Sequence, residues 1–258
     1  MQWILQQFED TEKLSAALDR LGISYTWHKV VPFIGELTPE PEVVDPSAVV
    51  LFGSYSLWRT AQAKQWNPGV FTIKPFLSQS AWREHLLNGD VRLMTVREAA
   101  ALEPDETLHF VRPVSDSKEI AGVVMSTAEL VQTAQNVLCV KVDEIPEGSL
   151  SHETELLLAE PVRIQKEWRC WVVDGEVVTW SLYKEGSRVV YRAEINEDAL
   201  DFARSMVSLN PGYSRAYVLD VCRTDDGLRI IETNCINAAG FYAADLVKLA
   251  ASIEALAP

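Results

Sequence analysis

The run Tyr217-Val218-Leu219-Asp220-Val221-Cys222-Arg223-Thr224-Asp225-Asp226-Gly227-Leu228-Arg229-Ile230-Ile231-Glu232-Thr233-Asn234 flanks an acidic turn with two apolar stretches, and its acids are spaced to share a cation. If Asp225-Asp226-Gly227 forms a three-residue loop with Gly227 left-handed, Thr224 faces Leu228, Asp220 faces Glu232, and Asn234 lies on the same face. Two carboxylates opposite one another on a sheet repel unless a cation or proton lies between them. Magnesium suits the spacing, because Mg²⁺ takes one or two carboxylates and leaves its other positions to water and nucleotide phosphates. A two-residue loop at Asp226-Gly227 would instead send Asp220 and Glu232 to opposite faces. A solvated hairpin that carries its acids incidentally is the alternative, and spacing alone leans toward it.

A second hairpin offers cations. Asp174-Gly175 is a two-residue turn signal that pairs Val173 with Glu176 and Arg169 with Trp180, so Glu167, Arg169, Trp171 and Val173 share a face. A charged pair on an otherwise apolar face is costly unless it lines a cleft or finds partners, which favours a functional role for Glu167 and Arg169. The alternative is a mutual salt bridge at the hairpin edge. Lys184 and Arg192 follow on neighbouring strands as candidates for the substrate side. Trp168, Trp171 and Trp180 read as core, and the four scattered histidines suggest no catalytic role.

The elements that must position these groups show a βαβ rhythm at the start of the chain. Trp3 to Gln7 reads as a strand, Thr11 to Leu21 as an amphipathic helix closed by Gly22, and Ile23 to Val31 as a second strand. A loop over Pro32 to Pro46, a strand at Ala48 to Gly53 and a helix at Tyr55 to Gln65 follow. Helices are expected over Ser80 to Leu87 and Thr95 to Leu102, capped by Ser80 and by Thr95 with Glu98. The Glu-Pro-Asp-Glu segment at 103–106 marks the expected domain boundary. Beyond it come strands at His109 to Val114 and Glu119 to Met125, then a helix from Thr127 to Asn136. Strands at Leu156 to Val162 and Trp168 to Leu182, a helix from Asp198 to Ser208, the acidic hairpin and a terminal helix from Ala243 to Leu256 complete the chain.

A chain of 258 residues with 48% hydrophobic content can bury a sizeable core as one large domain or two modest ones. Its formal charge of −14 works against nonspecific attraction to nucleic acid or anionic membranes, so an anionic ligand must meet a local basic site. The N-terminal stretch is too short and acidic for a signal peptide, and no apolar run is long enough to span a bilayer. Cys139, Cys170, Cys222 and Cys235 lack CxxC or Cys/His ligand spacing, so a cytoplasmic setting is expected.

The acidic hairpin resembles the final hairpin of the ATP-grasp superfamily, whose Asp and Glu-x-Asn are metal ligands. The match extends to Phe110-Val111-Arg112-Pro113-Val114-Ser115-Asp116-Ser117-Lys118, to Glu167-Trp168-Arg169, and to Ile231-Glu232-Thr233-Asn234 followed by Ala239-Gly240-Phe241-Tyr242. Together these look like the ATP-grasp clade in which an arginine replaces one of the usual phosphate-contacting lysines, over roughly the C-terminal three-fifths of the chain. The resemblance implies an α/β and α+β architecture. An N-terminal open-sheet lobe (1–105) precedes an ATP-grasp domain (106–258), whose sub-lobes 106–162 and 163–258 clamp ATP.

It also implies site roles. Arg112 and Lys118 would contact nucleotide phosphates, a guanidinium gripping phosphate oxygens bidentately where an ammonium acts as a point charge. Glu160 and Val162 would lie in the adenine pocket, and Glu167 beside the nucleotide. Arg169 would meet phosphate or acyl phosphate, and Asp220, Glu232 and Asn234 would hold Mg²⁺. The family's glycine-rich flap is missing, Gly122 being the single glycine near the phosphate hairpin.

The activity implied is ATP-dependent joining of a carboxylate to an amine through an acyl phosphate, on a peptide, protein or amino acid. Catalysis would rest on positioning and electrostatics. A phosphotransferase using the same ATP site is one alternative, and a nonenzymatic nucleotide-binding module is another.

Overall fold

The computed structural model describes residues 1–31, 36–54, 57–114, 122–146 and 149–256. Its contacts divide the chain into two compact units, one of Met1–Leu87 with Ile164–Pro258 and one of Asn88–Arg163.

The first unit begins with β1 (Gln2–Gln6), α1 (Glu9–Leu21), β2 (Tyr25–Val30), β3 (Leu37–Thr38), β4 (Val49–Phe52), α2 (Leu57–Lys64) and β5 (Pro68–Gly69). The second unit holds β6 (Arg92–Thr95), α3 (Val96–Ala99), β7 (Leu108–Pro113), β8 (Val123–Ser126), α4 (Thr127–Leu138) and β9 (Glu155–Ala159). The chain then returns to the first unit with β10 (Lys166–Val173), β11 (Glu176–Glu185), β12 (Arg188–Arg192), α5 (Glu197–Leu209), β13 (Ala216–Thr224), β14 (Gly227–Asn234) and α6 (Leu246–Glu254).

Two five-stranded sheets build the first unit. The N-terminal sheet has the order β3-β2-β1-β4-β5, with β2, β1, β4 and β5 parallel and β3 antiparallel to β2. Helix α1 makes the β1-to-β2 crossover. It buries Leu14, Ala17 and Leu18 at helical spacing and ends at Gly22, whose φ of 67° lets the backbone turn back on the last carbonyls. The expected 32–46 loop therefore contains the short strand β3; residues 32–35, and Tyr55 and Ser56 of the expected second helix, lie outside the described residues.

The second sheet, β12-β11-β10-β13-β14, is antiparallel and has two buried faces. Successive strand residues point to opposite faces. Trp171, Val173, Ala216 and Val218 thus join Trp3, Leu5, Phe52 and the α6 residues Leu249 and Ile253 in one core. Trp168, Cys170, Val172, Leu219 and Val221 join Ala199, Ala203 and Met206 of α5 in another, with Trp180 packed against it. Trp82 also belongs to that second core, but residues 80–85 form a 3-10 helix in which Ser80 is not the cap, in place of the expected α-helix.

The second unit is a four-stranded sheet, β6-β9-β7-β8, covered by α3 and α4. Thr95 with Glu98 and Ser126 with Glu129 form reciprocal capping boxes. The expected boundary at 105/106 falls inside this unit, because β6 pairs antiparallel with β9 and so residues 88–105 belong to the same unit. The expected strand at 156–162 ends at Ala159, and residues 119–121 of the expected strand before Met125 lie outside the described residues.

A carboxylate cluster on the second sheet

Asp220 faces Glu232 across the β13–β14 ladder, and the local route to that pairing differs from the one the turn sequence suggests. Thr224 pairs with Gly227, so the loop is the two residues Asp225 and Asp226. A register shift between Asp220 and Val221 then leaves Ile231 as an extra residue on β14. Without that bulge Glu232 would stand opposite Leu219, on the face that packs against α5. The bulge changes the phase of the strand, keeping Ile230 in that core and turning Glu232 and Asn234 toward the other face with Asp220.

Arg169 stands directly opposite Asp220 on β10. Its Nε donates to Asp220 Oδ1 at 2.9 Å and its Nη2 to Oδ2 at 2.7 Å, a bidentate pair in which Asp220 is 0% and Arg169 8% exposed. Nη1 reaches the Gly240 carbonyl at 3.4 Å. The guanidinium thus holds a carboxylate through Nε and Nη2; the family resemblance implies a phosphate or acyl-phosphate contact for it. Asn234 spans the two acids, its Nδ2 donating to Asp220 Oδ2 at 3.2 Å and to Glu232 Oε1 at 3.1 Å.

Glu167, one pleat along from Arg169, is buried and accepts from the Tyr183 hydroxyl at 2.7 Å and pairs with Lys184 at 3.0 Å. The β10–β11 turn is Asp174-Gly175 with Val173 opposite Glu176, as expected, yet Arg169 faces Ser181 instead of Trp180. The register shift between Trp171 and Val172, which leaves Val178 as an extra residue on β11, causes the difference. Arg192 is remote from this chemistry in its contacts, engaging Glu185 at 2.9 Å and Glu194 at 2.7 Å on the exposed edge strand.

Tyr183 and Tyr242 carry no role in the sequence reading. Tyr242 adopts a φ of 48°, unusual for a side chain of this size. It stacks between Tyr183, at 5.4 Å, and Tyr191, at 4.8 Å, while Arg169 lies 4.8 Å from its ring centroid. A strained, aromatic wall against a buried cation marks a functional site better than a packing site. The signal in the sequence was Gly240-Phe241-Tyr242 just beyond the hairpin.

Charge and burial oppose each other here. Burial, then the Glu232 and Glu167 charges, push Asp220 above the usual carboxylate range against the pull of Arg169. Burial would lower Arg169, but the Asp220 charge and hydrogen bonds outweigh it and hold the guanidinium raised. The two directions compete over one proton; arginine keeps its charge in proteins and the geometry is bidentate, so the pair is ionic. Burial, then Asp220 and Glu167, raise the Tyr183 phenol well above its usual value, so it stays a donor to Glu167.

In the second unit, Arg112 is half-buried on β7 opposite Leu157, and Glu160 and Val162 are exposed just past the end of β9. Lys118 lies outside the described residues. Gly122 is explained by packing, since an added Cβ would collide with the Phe110 ring.

Among the described residues no group of three or more His, Cys, Asp and Glu is arranged to hold a metal, and no helix is long and apolar enough to cross a membrane. Residues 40–256 match the model of an ATP-grasp domain family, the third family of its clade, over a span that begins well inside the N-terminal sheet. No curated protein matches the sequence. Among solved structures, a D-cycloserine synthetase, DcsG, shares 14% identity with a TM-score of 0.61 and full coverage of both chains. A D-alanine–D-alanine ligase from Bacillus anthracis with ATP shares 12% identity at a TM-score of 0.57, covering 98% of this chain and 90% of the other. The ATP-grasp ligase PsnB, complexed with a minimal precursor, shares 15% identity at a TM-score of 0.55, with 98% coverage of each.

Proposed function

Because the chain belongs to the ATP-grasp family, we propose that it is an ATP-dependent ligase joining a carboxylate to an amine, with Asp220, Glu232 and Asn234 holding Mg²⁺. The observation that carries the reading is the opposition of Asp220 and Glu232 with the Asn234 amide spanning them.

The donor set fits magnesium. Two hard carboxylates and one amide leave most of an octahedron to water and phosphate oxygens. A half-turn of the Asn234 amide exchanges its nitrogen for its oxygen, which removes its N–H from Glu232 Oε1 and leaves Asp220 Oδ2 accepting from Arg169 alone. Asp220 keeps spare lone pairs beyond the bidentate arginine, so Arg169 acts behind the ligand, orienting the carboxylate and keeping it charged. When bound, the ion would neutralise charge on the transferred phosphoryl group.

The chain's own residues bind and orient. Arg112 and Lys118 contact nucleotide phosphate, Glu160 and Val162 neighbour adenine, and Lys184, held by Glu167, meets the substrate side with Arg192 beyond it. The substrate carboxylate oxygen attacks the γ-phosphorus and ADP departs. The amine nitrogen then displaces phosphate from the acyl carbon and gives up a proton. The named solved structures include a D-alanine–D-alanine ligase and a D-cycloserine synthetase, which supports an amino acid or peptide as substrate.

Mass spectrometry of reactions containing ATP, Mg²⁺ and mixed amino acids tests the proposal. A dehydrative amide product with stoichiometric ADP and phosphate is expected, and a stable phosphate ester on the acceptor would overturn it in favour of a phosphotransferase.

A further inference from the structure

The first unit also contains a cavity of about 170 Å³ lined by Gly53, Leu57, Trp58, Val70, Phe71 and Ile73, with Cys235, Asn237 and Ala238 along one wall. Its place in the fold is specific. The chain runs from β1 to β2 on one side of β1 and returns to β4 on the other, so the sheet order reverses between β1 and β4. Ligands of open α/β sheets bind outside the carboxyl ends of strands at such a switch point. Gly53 follows the last residue of β4, and the end of β1 is tied to it where Ser54 N–H donates to Gln6 Oε1 at 2.6 Å. Any Cβ at Gly53 would collide with Leu57 and Gln6, so this approach of strand and helix requires glycine.

The second observation links the cavity to the carboxylate cluster. Cys235 directly follows Asn234, and consecutive Cα atoms lie about 3.8 Å apart. The segment after β14 is clamped by three hydrogen bonds, two to Leu51 and Gly53 at the end of β4 and one to Phe71 just beyond β5. Gly53 N–H donates to the Asn237 carbonyl at 2.9 Å, Asn237 Nδ2 to Leu51 O at 2.6 Å, and Phe71 N–H to Asn237 Oδ1 at 2.9 Å. One wall is therefore an extension of the strand that carries Glu232 and Asn234.

The third is chemical. Among the described lining residues none is Asp, Glu, Lys or Arg, and both ends of the Asn237 amide are already committed. A charged group entering here would be buried without a partner. An apolar cavity of about 150 Å³ is known to accept benzene, so this one holds a group between leucine and phenylalanine side chains in size.

We propose that this cavity receives an uncharged aliphatic or aromatic side chain of the amino-acid or peptide substrate. The inference rests on the ligase reading for its substrate and on the cavity alone for its selectivity. Ser54 and Thr72 at the rim are exposed and flank the backbone of the bound residue.

The test has a binding arm and a turnover arm. Without ATP, N-acetyl-L-leucinamide and N-acetyl-L-phenylalaninamide are titrated against the full chain, following the side-chain amide signals of Asn237 and the indole N–H of Trp58 by NMR. Saturable shifts with these probes and none with N-acetylglycinamide are expected. Thr72→Trp, which narrows the mouth, abolishes the shifts, whereas Val70→Ala enlarges the cavity and favours the phenylalanine probe. With ATP and Mg²⁺, phosphate release driven by leucine or phenylalanine exceeds that by glycine or aspartate at least tenfold, given that one methylene is worth about 10–200-fold. Selective binding without turnover sinks the ligase reading and keeps the cavity assignment. Turnover that is indifferent to side-chain size, or unchanged preference in both variants, overturns the assignment and leaves the ligase reading standing.

Discussion

Arg169 and Arg192 flank the same strand, β11, and each is ion-paired, yet the two sites are opposite in kind. Arg192 has a side chain 46% exposed and makes two ion pairs at a sheet edge, where water and salt screen the charges. Arg169 meets one buried carboxylate, within a wall of tyrosines. The difference teaches that burial, not the number of partners, decides what an ion pair controls. An exposed pair can be lost at little cost, whereas a buried one commits the charge of its partner.

The largest expected effect comes from breaking the buried pair. Arg169→Met leaves Asp220 as an uncompensated buried charge and lowers stability by about 3–5 kcal/mol, read as a shift in urea midpoint. Replacing both partners, Arg169→Met with Asp220→Leu, recovers most of that loss. The single variant also acquires a pH dependence. Burial, Glu232 and Glu167 already push Asp220 up, and the substitution removes the cation that pulls it down. A carboxyl whose folded value is raised is favourable below its unfolded value and loses that advantage as pH rises, so Arg169→Met is least destabilised in acid and most at neutral pH. A flat profile would mean that Asp220 does not carry the buried charge.

Glu232→Gln sharpens the comparison from the metal side. It should raise the Mg²⁺ concentration needed for half-maximal ATP turnover by at least about 10-fold, the cost of losing even a group that only supports a ligand, while leaving the Arg169–Asp220 pair in place. Unchanged magnesium dependence would remove Glu232 from the ligand set. A smaller effect distinguishes strain from stacking at Tyr242. Tyr242→Gly should be more stable than Tyr242→Ala by about 1 kcal/mol, since only glycine adopts its positive φ freely. At the exposed end of the comparison, Arg192→Ala should cost less than about 1 kcal/mol and vanish in high salt.

How much of this was legible in the sequence depended on how local its cause was. The capping box at Thr95 and Glu98, the Asp174-Gly175 turn and the helix ended by Gly22 are short-range and were read directly. The Asp220–Glu232 pairing was read correctly through the wrong turn. A residue count says that one extra residue must lie between the two acids but not whether loop or bulge absorbs it, and Ile231 absorbs it because Ile230 must reach the α5 core. Arg169 opposite Asp220 was invisible, since it depends on a β10–β13 pairing between residues 51 apart. For the same reason the strand β6 was not read at all, and its residues fell on the N-terminal side of the expected boundary, its partner β9 lying far along the chain. Tyr242 could not be found by periodicity, because its role follows from an unusual backbone angle after the strand has ended.

A divalent ion and nucleotide should bind at the acids of this sheet. Paramagnetic broadening by Mn²⁺·ATP, substituted for Mg²⁺·ATP and followed by NMR on the uniformly labelled protein, tests it most directly. The Asn234 side-chain amide and the Asp220 and Glu232 backbone signals should broaden first, and Glu232→Gln should weaken the effect. Broadening centred elsewhere, with the Asn234 signals sharp at saturating Mn²⁺·ATP, would contradict it.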